Sequence, residues 1–207
     1  MRTPELIATI DRALGHLAEC ADELRDLDAA LGDGDLGVTV AAGCRAVRQA
    51  LDGLPDDALP AQVLKAAAGA FAKANPSTMA ALVGGALLAA ARGLGDTDDL
   101  DRTAALTVGR AAAESISTRG KAQVGDKTVL DALVPSLDAM EAAPEAPLTA
   151  GVAAARRAVE ETKSLQSMRG RASWMGERSK GLKDPGATAY LHFLEGLESA
   201  RTEKHGE

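Results

Sequence analysis

PAQVLKAAAGAFAKANPSTMAALVGGALLAAARG, residues 60–93, is the stretch whose reading decides the fold. Its first half, from about Pro60 to Lys73, sets Val63, Leu64 and Phe71 into an Ala-rich helical run. Its second half, Thr78 to Arg92, is helical again and stops at Gly93. The NPST turn at 75–78 joins the two. A connection that short makes consecutive helices antiparallel neighbours. The pattern extends both ways. Leu6, Ile7, Ile10, Leu14 and Leu17 mark one face of a first helix, opened by Pro4, and Val38 to Leu51 is a second. Beyond the quoted stretch, helices are expected at Asp99–Thr118, at Thr128–Met140 with a kink at Pro135, at Thr149–Leu165 and at Pro185–Ala200. The last residues, 201–207, are expected to fray. Composition agrees: 207 residues hold 44 Ala and 26 Leu but three Ile, one Trp, one Tyr and two Phe. Ala and Leu favour helices, while the strand formers are scarce. A β-sandwich or β-barrel is excluded, as is an RNA reader that stacks bases on aromatics. The reading is all-α: an eight-helix antiparallel up-and-down bundle or closed barrel. One domain spans 1–207, with a long flap loop between the seventh and eighth helices.

Charge narrows the partners. The net charge is −7, which excludes binding that depends on a basic face, to nucleic acid or an anionic membrane. Cys20 and Cys44 have neither metal-type nor redox-type spacing and read as reduced thiols. Glu5, Asp11 and Arg12 break the N-terminal apolar residues, so no signal-peptide core is expected. The longest apolar stretch, Met79 to Ala91, is too short to span a membrane. A soluble, cytoplasmic protein is expected.

Four irregular segments carry the chemistry. In DAALGDGDLGVT, residues 28–39, three acids, Asp28, Asp33 and Asp35, fall among Gly32, Gly34 and Gly37. Carboxylates at that density repel unless a cation sits among them, and the glycines permit a turn that brings them together. Their oxygens are hard ligands suited to Mg²⁺ or Ca²⁺. The segment runs into a helix, whose first N–H groups can receive an anion. An ordinary capped loop would show the same residues, and an EF-hand does not fit, because no Glu falls at its twelfth position. The NPST turn offers Ser77 and Thr78, either as plain helix caps or as hydroxyls for an anion. VGDKT, residues 124–128, also precedes a helix that Asp126 or Thr128 can cap; it is not a P-loop. The last segment, 167–186, holds Arg169, Arg171, Arg178, Lys180 and Lys183, a basic loop in an acidic chain. It is either a solvated surface or a flap closing over a phosphorylated ligand. Trp174 lies in it and Tyr190 just after it, which places half the aromatics beside the loop and outside the core. His16 reads as a packed core histidine on the first helix.

Taken in order, DAALGDGDLG, the Ser/Thr turn before an Ala/Gly helix, RGKAQVGDKTVLDAL and GRASWMGERSKGLKDPGAT resemble the nucleotide-binding L subunit of dihydroxyacetone kinases. The resemblance spans nearly the whole chain. It implies an eight-helix antiparallel barrel that binds ADP or ATP and two Mg²⁺ at one end. Asp28, Asp33 and Asp35 are then the Mg²⁺ ligands, and Leu36, Gly37, Val38 and Thr39 the phosphate-contacting helix start. Thr78 and Met79 fall on the family's phosphate turn. The family often has GGAS there, with its Ser at Met79, so Ser77 or Thr78 takes over the hydroxyl. Gly120 and Val129 are walls of the adenine pocket, Arg171 is the flap arginine, and Asp184, Pro185 and Gly186 close on the nucleotide. Many members carry His where this chain has Leu36, an apolar side chain that cannot donate to a phosphate.

The resemblance further implies a separate K-type subunit that holds the ketose covalently. The phosphoryl donor is then ATP, or a phosphocarrier protein acting on bound ADP, and a homodimer is also compatible. Two readings follow. One is a kinase subunit for dihydroxyacetone or another small ketose such as erythrulose. The other is a non-enzymatic, nucleotide-loaded regulatory module, with Leu36 marking lost chemistry. In neither does a side chain of this chain serve as a nucleophile.

Overall fold

In a computed structural model, residues 1–202 are described. Residues 203–207, with His205 and most of the tail expected to fray, lie outside them. Nine α-helices follow in order: α1 (Thr3–Glu19), α2 (Ala21–Leu31), α3 (Leu36–Asp52), α4 (Pro60–Ala74), α5 (Thr78–Leu94), α6 (Arg102–Gly120), α7 (Leu130–Ala142), α8 (Pro147–Glu161) and α9 (Pro185–Thr202). Two 3₁₀ helices, Thr162–Ser164 and Arg171–Ser179, lie between α8 and α9. No strand occurs among the described residues.

Eight of the nine close a ring. α1 packs on α3, and α3 to α9 pack each on the next, until α9 returns to α1. The extra helix, α2, rides on α3 at the rim and touches α9 and the Arg171–Ser179 helix. It falls in a segment the sequence reading left without a helix. Asp22, Glu23, Arg25, Asp26 and Asp28 crowd it with charge, yet Leu24 and Leu31, two turns apart on one face, are buried. Asp22 and Glu23 in its first turn also suit the helix N-terminus.

Other boundaries shift by a few residues. α7 runs on through Pro135. α8 starts at Pro147, inside what reads as a linker, because Pro at a first helical position gives up only an N–H that has no intrahelical partner. The flap is partly ordered as a 3₁₀ helix, broken at Gly176, whose φ of +55° ends each regular run.

Small side chains fill much of the ring. One cluster centres on Leu14, Leu17, Val40, Val47 and Phe71 of α1, α3 and α4. Others, rich in Ala, join α7 to α8 and α9, and α5 to α6 and α7. Tyr190 corrects the expectation that it lies outside the core. It packs between these last two clusters, and its hydroxyl pairs with Ser136 Oγ at 2.7 Å. A buried phenol needs such a partner, which α7 supplies. Trp174 is 81% exposed on the flap.

Candidate functional site

The first turns of α2 and α3 pack closely on one another. A Cβ on Gly37 would lie 2.2 Å from the Ala21 carbonyl oxygen, so only glycine lets α3 start so near α2. The connection, residues 32–35, turns at Gly34 with φ of +75°. Asp28 is on α2, Asp33 is in the turn, and Asp35 is the residue from which α3 begins. A carboxylate oxygen from each falls within 4.8 Å of the others. Asp28 is oriented by the Leu36 backbone N–H, which donates to its Oδ2 at 3.2 Å. Burial pushes the Asp28 carboxyl above its ordinary range, Asp35 and Asp33 push it further, and the Leu36 N–H and Arg171 oppose them.

The cation among these acids is Arg171. Its guanidinium pairs with Asp33 and, at 3.0 Å, with Asp35. Both acids and the arginine are close to half-exposed, so the cluster is open to solvent. Leu36, by contrast, turns its side chain into the core cluster and offers the site only its backbone. Gly37 and Thr39 are buried, and Val38 is 60% exposed on the first turn of α3.

The NPST turn joins this end of the ring through Asn75, whose Nδ2 donates to Thr39 Oγ1 at 2.7 Å. Ser77 caps α5 by accepting from the Ala80 N–H at 3.1 Å, and Thr78 is exposed. Met79 packs against the core cluster. Its side chain is therefore a core contact, and what it can offer an anion is the first-turn N–H that every helix leaves without an intrahelical partner.

Val129, Asp184, Pro185 and Gly186 gather at a second point. A Cβ on Gly186 would lie 3.6 Å from the Val129 nitrogen. Asp184 caps α9 by accepting from the Ala187 N–H at 2.7 Å, while its own N–H donates to Thr162 Oγ1 at 2.9 Å. Burial, with a smaller push from Asp131, takes its carboxyl up to about 7; the Ala187 and Gly186 N–H groups and Lys127 work against that. Gly120 ends α6 beside Ala122 and Leu82.

Lys127 is the residue that sequence reasoning missed. It is 2% exposed, with φ of +59°. Its Nζ donates to the carbonyls of Leu165 (3.2 Å), Ser179 (2.5 Å) and Leu182 (2.7 Å), tying both ends of the flap to one ammonium. Burial lowers its pKa and the Asp184 carboxylate raises it. A signal was available: a lysine just ahead of a helix start faces the positive end of the helix dipole, so something else must hold it there. Asp126 is not the cap of α7. It accepts from the Gln123 N–H at 3.1 Å and from Arg169 Nε at 2.8 Å, while Asp131 takes the Gly125 and Thr128 N–H groups at 2.6 Å each. Thr128 Oγ1 does accept from the Leu130 N–H, at 3.2 Å. Arg169 and Arg171, two residues apart, thus hold the flap to Asp126 on one side and to the acidic cluster on the other.

Comparison with known proteins points the same way. The DAK2 domain family matches residues 30–199. The L-erythrulose 1-kinase of Mycolicibacterium smegmatis is 38% identical over 188 residues, 86% of this chain but 33% of its own length. This chain thus spans about a third of that relative. The ADP-binding subunit DhaL of a PEP-dependent dihydroxyacetone kinase of Listeria innocua is 35% identical over 79% of this chain and 79% of its own. The crystal structure of the dihydroxyacetone kinase from C. freundii in complex with AMP-PNP and Mg²⁺ superimposes with a TM-score of 0.75 at 26% identity, covering 94% of this chain and 34% of that one. An all-α fold of this kind is therefore shared.

Proposed function

The chain belongs to the DAK2 domain family, and on that premise we propose that it is the nucleotide-binding phosphotransferase subunit of a ketose kinase. ADP or ATP sits with two Mg²⁺ on Asp28, Asp33 and Asp35, and phosphoryl passes to a ketose held on a separate K-type subunit. The observation that carries this reading is the carboxylate cluster, three ligand atoms within 4.8 Å of one another, clasped by Arg171 from the flap. The donors are all hard oxygens, the set that Mg²⁺ prefers, so these three residues would hold it.

Bound Mg²⁺ neutralises phosphate charge and holds the reacting oxygens in line. The rest falls to this chain's residues. The Asp28 carboxylate is pre-aimed by the Leu36 N–H. In the first turn of α3 the Leu36 N–H serves Asp28 and the Thr39 N–H the Asp35 carbonyl, which leaves the Gly37 and Val38 amides, with those of Thr78 and Met79 on α5, for the phosphates; the Thr78 hydroxyl can join them while Ser77 caps the helix. Arg171 exchanges Asp33 and Asp35 for phosphate oxygens, which its guanidinium grips in pairs. Gly120, Val129 and Gly186 wall the base, with Asp184 and Pro185 fixing the start of α9 beside it. Leu36 does not argue for lost chemistry: its side chain serves the core and its backbone the cluster.

The relatives support either of two substrates, dihydroxyacetone or erythrulose. The PEP-dependent relative fits a phosphoryl group drawn from PEP, which a phosphocarrier would deliver to bound ADP, and the AMP-PNP complex of the structural relative fits ATP. The first test is thermal unfolding with ADP and Mg²⁺. The wild type rises in Tm and Asp33→Ala does not; a wild type that fails to respond overturns the nucleotide site. Phosphorylated ketose then appears only when a K-type subunit is added with ATP or with a charged phosphocarrier.

A further inference from the structure

Away from the acidic cluster, the seam between α1 and α9 gathers a second set of ligand-type side chains. α9 comes close because Gly196 faces Ala13: a Cβ there would lie 2.8 Å from the Ala13 Cα and 3.1 Å from the His16 Cβ. One turn before Gly196, His192 meets His16 edge to face, ring centroids 6.1 Å apart and planes at 73°. Cys20 stands four residues after His16, on the same helical face. It is the junction from which α2 starts. One ligand atom each from His16, Cys20 and His192 falls within 4.8 Å of the others.

Two features separate this group from an ordinary packed trio. His16 Nε2 is buried and has no hydrogen-bond partner among the described residues, a costly state for a ring nitrogen. His192 is held by carboxylates at both nitrogens: Glu195 Oε2 is 3.1 Å from Nδ1 and Glu23 Oε2 is 3.0 Å from Nε2. Glu195 on Nδ1 matches the usual outer shell of a metal-bound histidine, and an ion at Nε2 would take the place that Glu23 now holds, with Glu23 turning to the ion.

We infer that His16, Cys20 and His192 form a binding site for a zinc-type divalent ion, with Glu23 as its fourth ligand and Glu195 orienting His192. Two imidazoles and a thiolate suit Zn²⁺ in tetrahedral geometry and are a poor set for Mg²⁺ or Ca²⁺. On binding, the Cys20 thiol releases its proton to solvent, and the new bond is sulfur to metal. Thiolate plus carboxylate balance the ion's two charges, so the ion with these ligands is neutral overall. The His192 side chain keeps 16% exposure, which leaves an entry path. Bound here, the ion staples the start of α2 to α9.

The test uses the full chain, treated with chelator and titrated with Co²⁺ and with Zn²⁺ against a chromophoric chelator. One equivalent is expected, with a thiolate-to-Co²⁺ charge-transfer band and a rise in Tm on Zn²⁺. Cys20→Ser loses the band, and His16→Ala weakens affinity by at least tenfold. Glu195→Gln weakens it by about 10–100-fold, as outer-shell changes do. Cys44→Ser and Asp33→Ala bind as the wild type does, which separates this site from the buried thiol of α3 and from the acidic cluster. Absence of the band and of the Tm rise in the wild type overturns the proposal, as does binding unchanged in both Cys20→Ser and His16→Ala.

Discussion

The flap is held at two places that read alike in sequence and differ in kind. At one, Asp28, Asp33 and Asp35 meet Arg171 on an open rim, with Asp33, Asp35 and Arg171 all more than 40% exposed. At the other, Lys127, Asp126 and Asp184 are each less than 10% exposed and locked into backbone groups. Both are charged residues among glycines next to a helix start. The buried group has committed its hydrogen-bonding capacity to protein atoms and acts as an anchor. In the open group Asp33, Asp35 and Arg171 pair their charges with one another, in water, where an ion pair is weak and exchangeable. A ligand can take over the second arrangement without unfolding anything.

Lys127→Met probes the anchor and carries the largest expected effect. It keeps much of the side chain's volume and removes the ammonium, leaving the Leu165, Ser179 and Leu182 carbonyls without that donor. Breaking a buried charged network of this sort costs about 3–5 kcal/mol, read by urea unfolding. A loss under about 1 kcal/mol would show that the flap is not held from Lys127.

How much of this was legible follows the same division. The ring was legible because Leu14 and Leu17, Val40 and Val47, or Val63 and Phe71 repeat at helical spacing and end in the core. The acidic trio was legible because it lies within eight residues, a span that one turn closes. Lys127 was not, because its partners lie 38 to 55 residues away and its burial follows from how the flap folds back. α2 was hidden by its own charges, which face water while Leu24 and Leu31 face in. Tyr190 was misplaced because position next to a loop says nothing about which face of α9 it occupies. Met79 was placed on the phosphate turn by its motif position alone, and the pitch of α5, which turns its side chain to the core, was not legible from that position.

Asp184 sharpens the contrast through pH. Its carboxyl is pushed up to about 7 in the folded chain, against about 3.9 unfolded. A raised folded value means the fold prefers the protonated acid. That contribution is complete below about pH 4 and is lost as pH rises through about 7. Asp184→Asn keeps an acceptor for the Ala187 N–H and does not titrate. Its stability relative to the wild type should therefore climb between pH 4 and pH 8, by on the order of 2–4 kcal/mol. A flat difference across that range would place the carboxylate in a far better solvated setting than the anchor implies.

Arg171→Ala tests the open side. Stability should change by no more than about 0.5 kcal/mol, since the guanidinium is half-exposed. Affinity for ADP with Mg²⁺, measured by calorimetry, should fall about tenfold, near 1.4 kcal/mol. The two numbers reverse those for Lys127→Met, whose damage is to folding. If Arg171→Ala instead destabilises the chain by several kcal/mol, the rim is an anchor too and the division between the two places fails.

Trp174 gives the smallest effect on stability and the most direct view of the flap. At 81% exposure it buries almost nothing, so Trp174→Ala should alter stability by less than about 0.5 kcal/mol. As the sole tryptophan it makes the chain's fluorescence a report on one position. Emission from the free chain should be that of a solvated indole. If Arg171 leaves Asp33 and Asp35 for a phosphate, the 3₁₀ helix that begins at Arg171 moves with it, and Trp174 lies three residues along. ADP with Mg²⁺ should then shift the emission in the wild type and leave it unmoved in Asp33→Ala. Anchored at Lys127 in both states, the flap should pivot without unfolding, so acrylamide quenching should change while helical circular dichroism stays constant. A wild type that binds nucleotide with no change in Trp174 emission would show that the flap stays still and that Arg171 keeps its carboxylates.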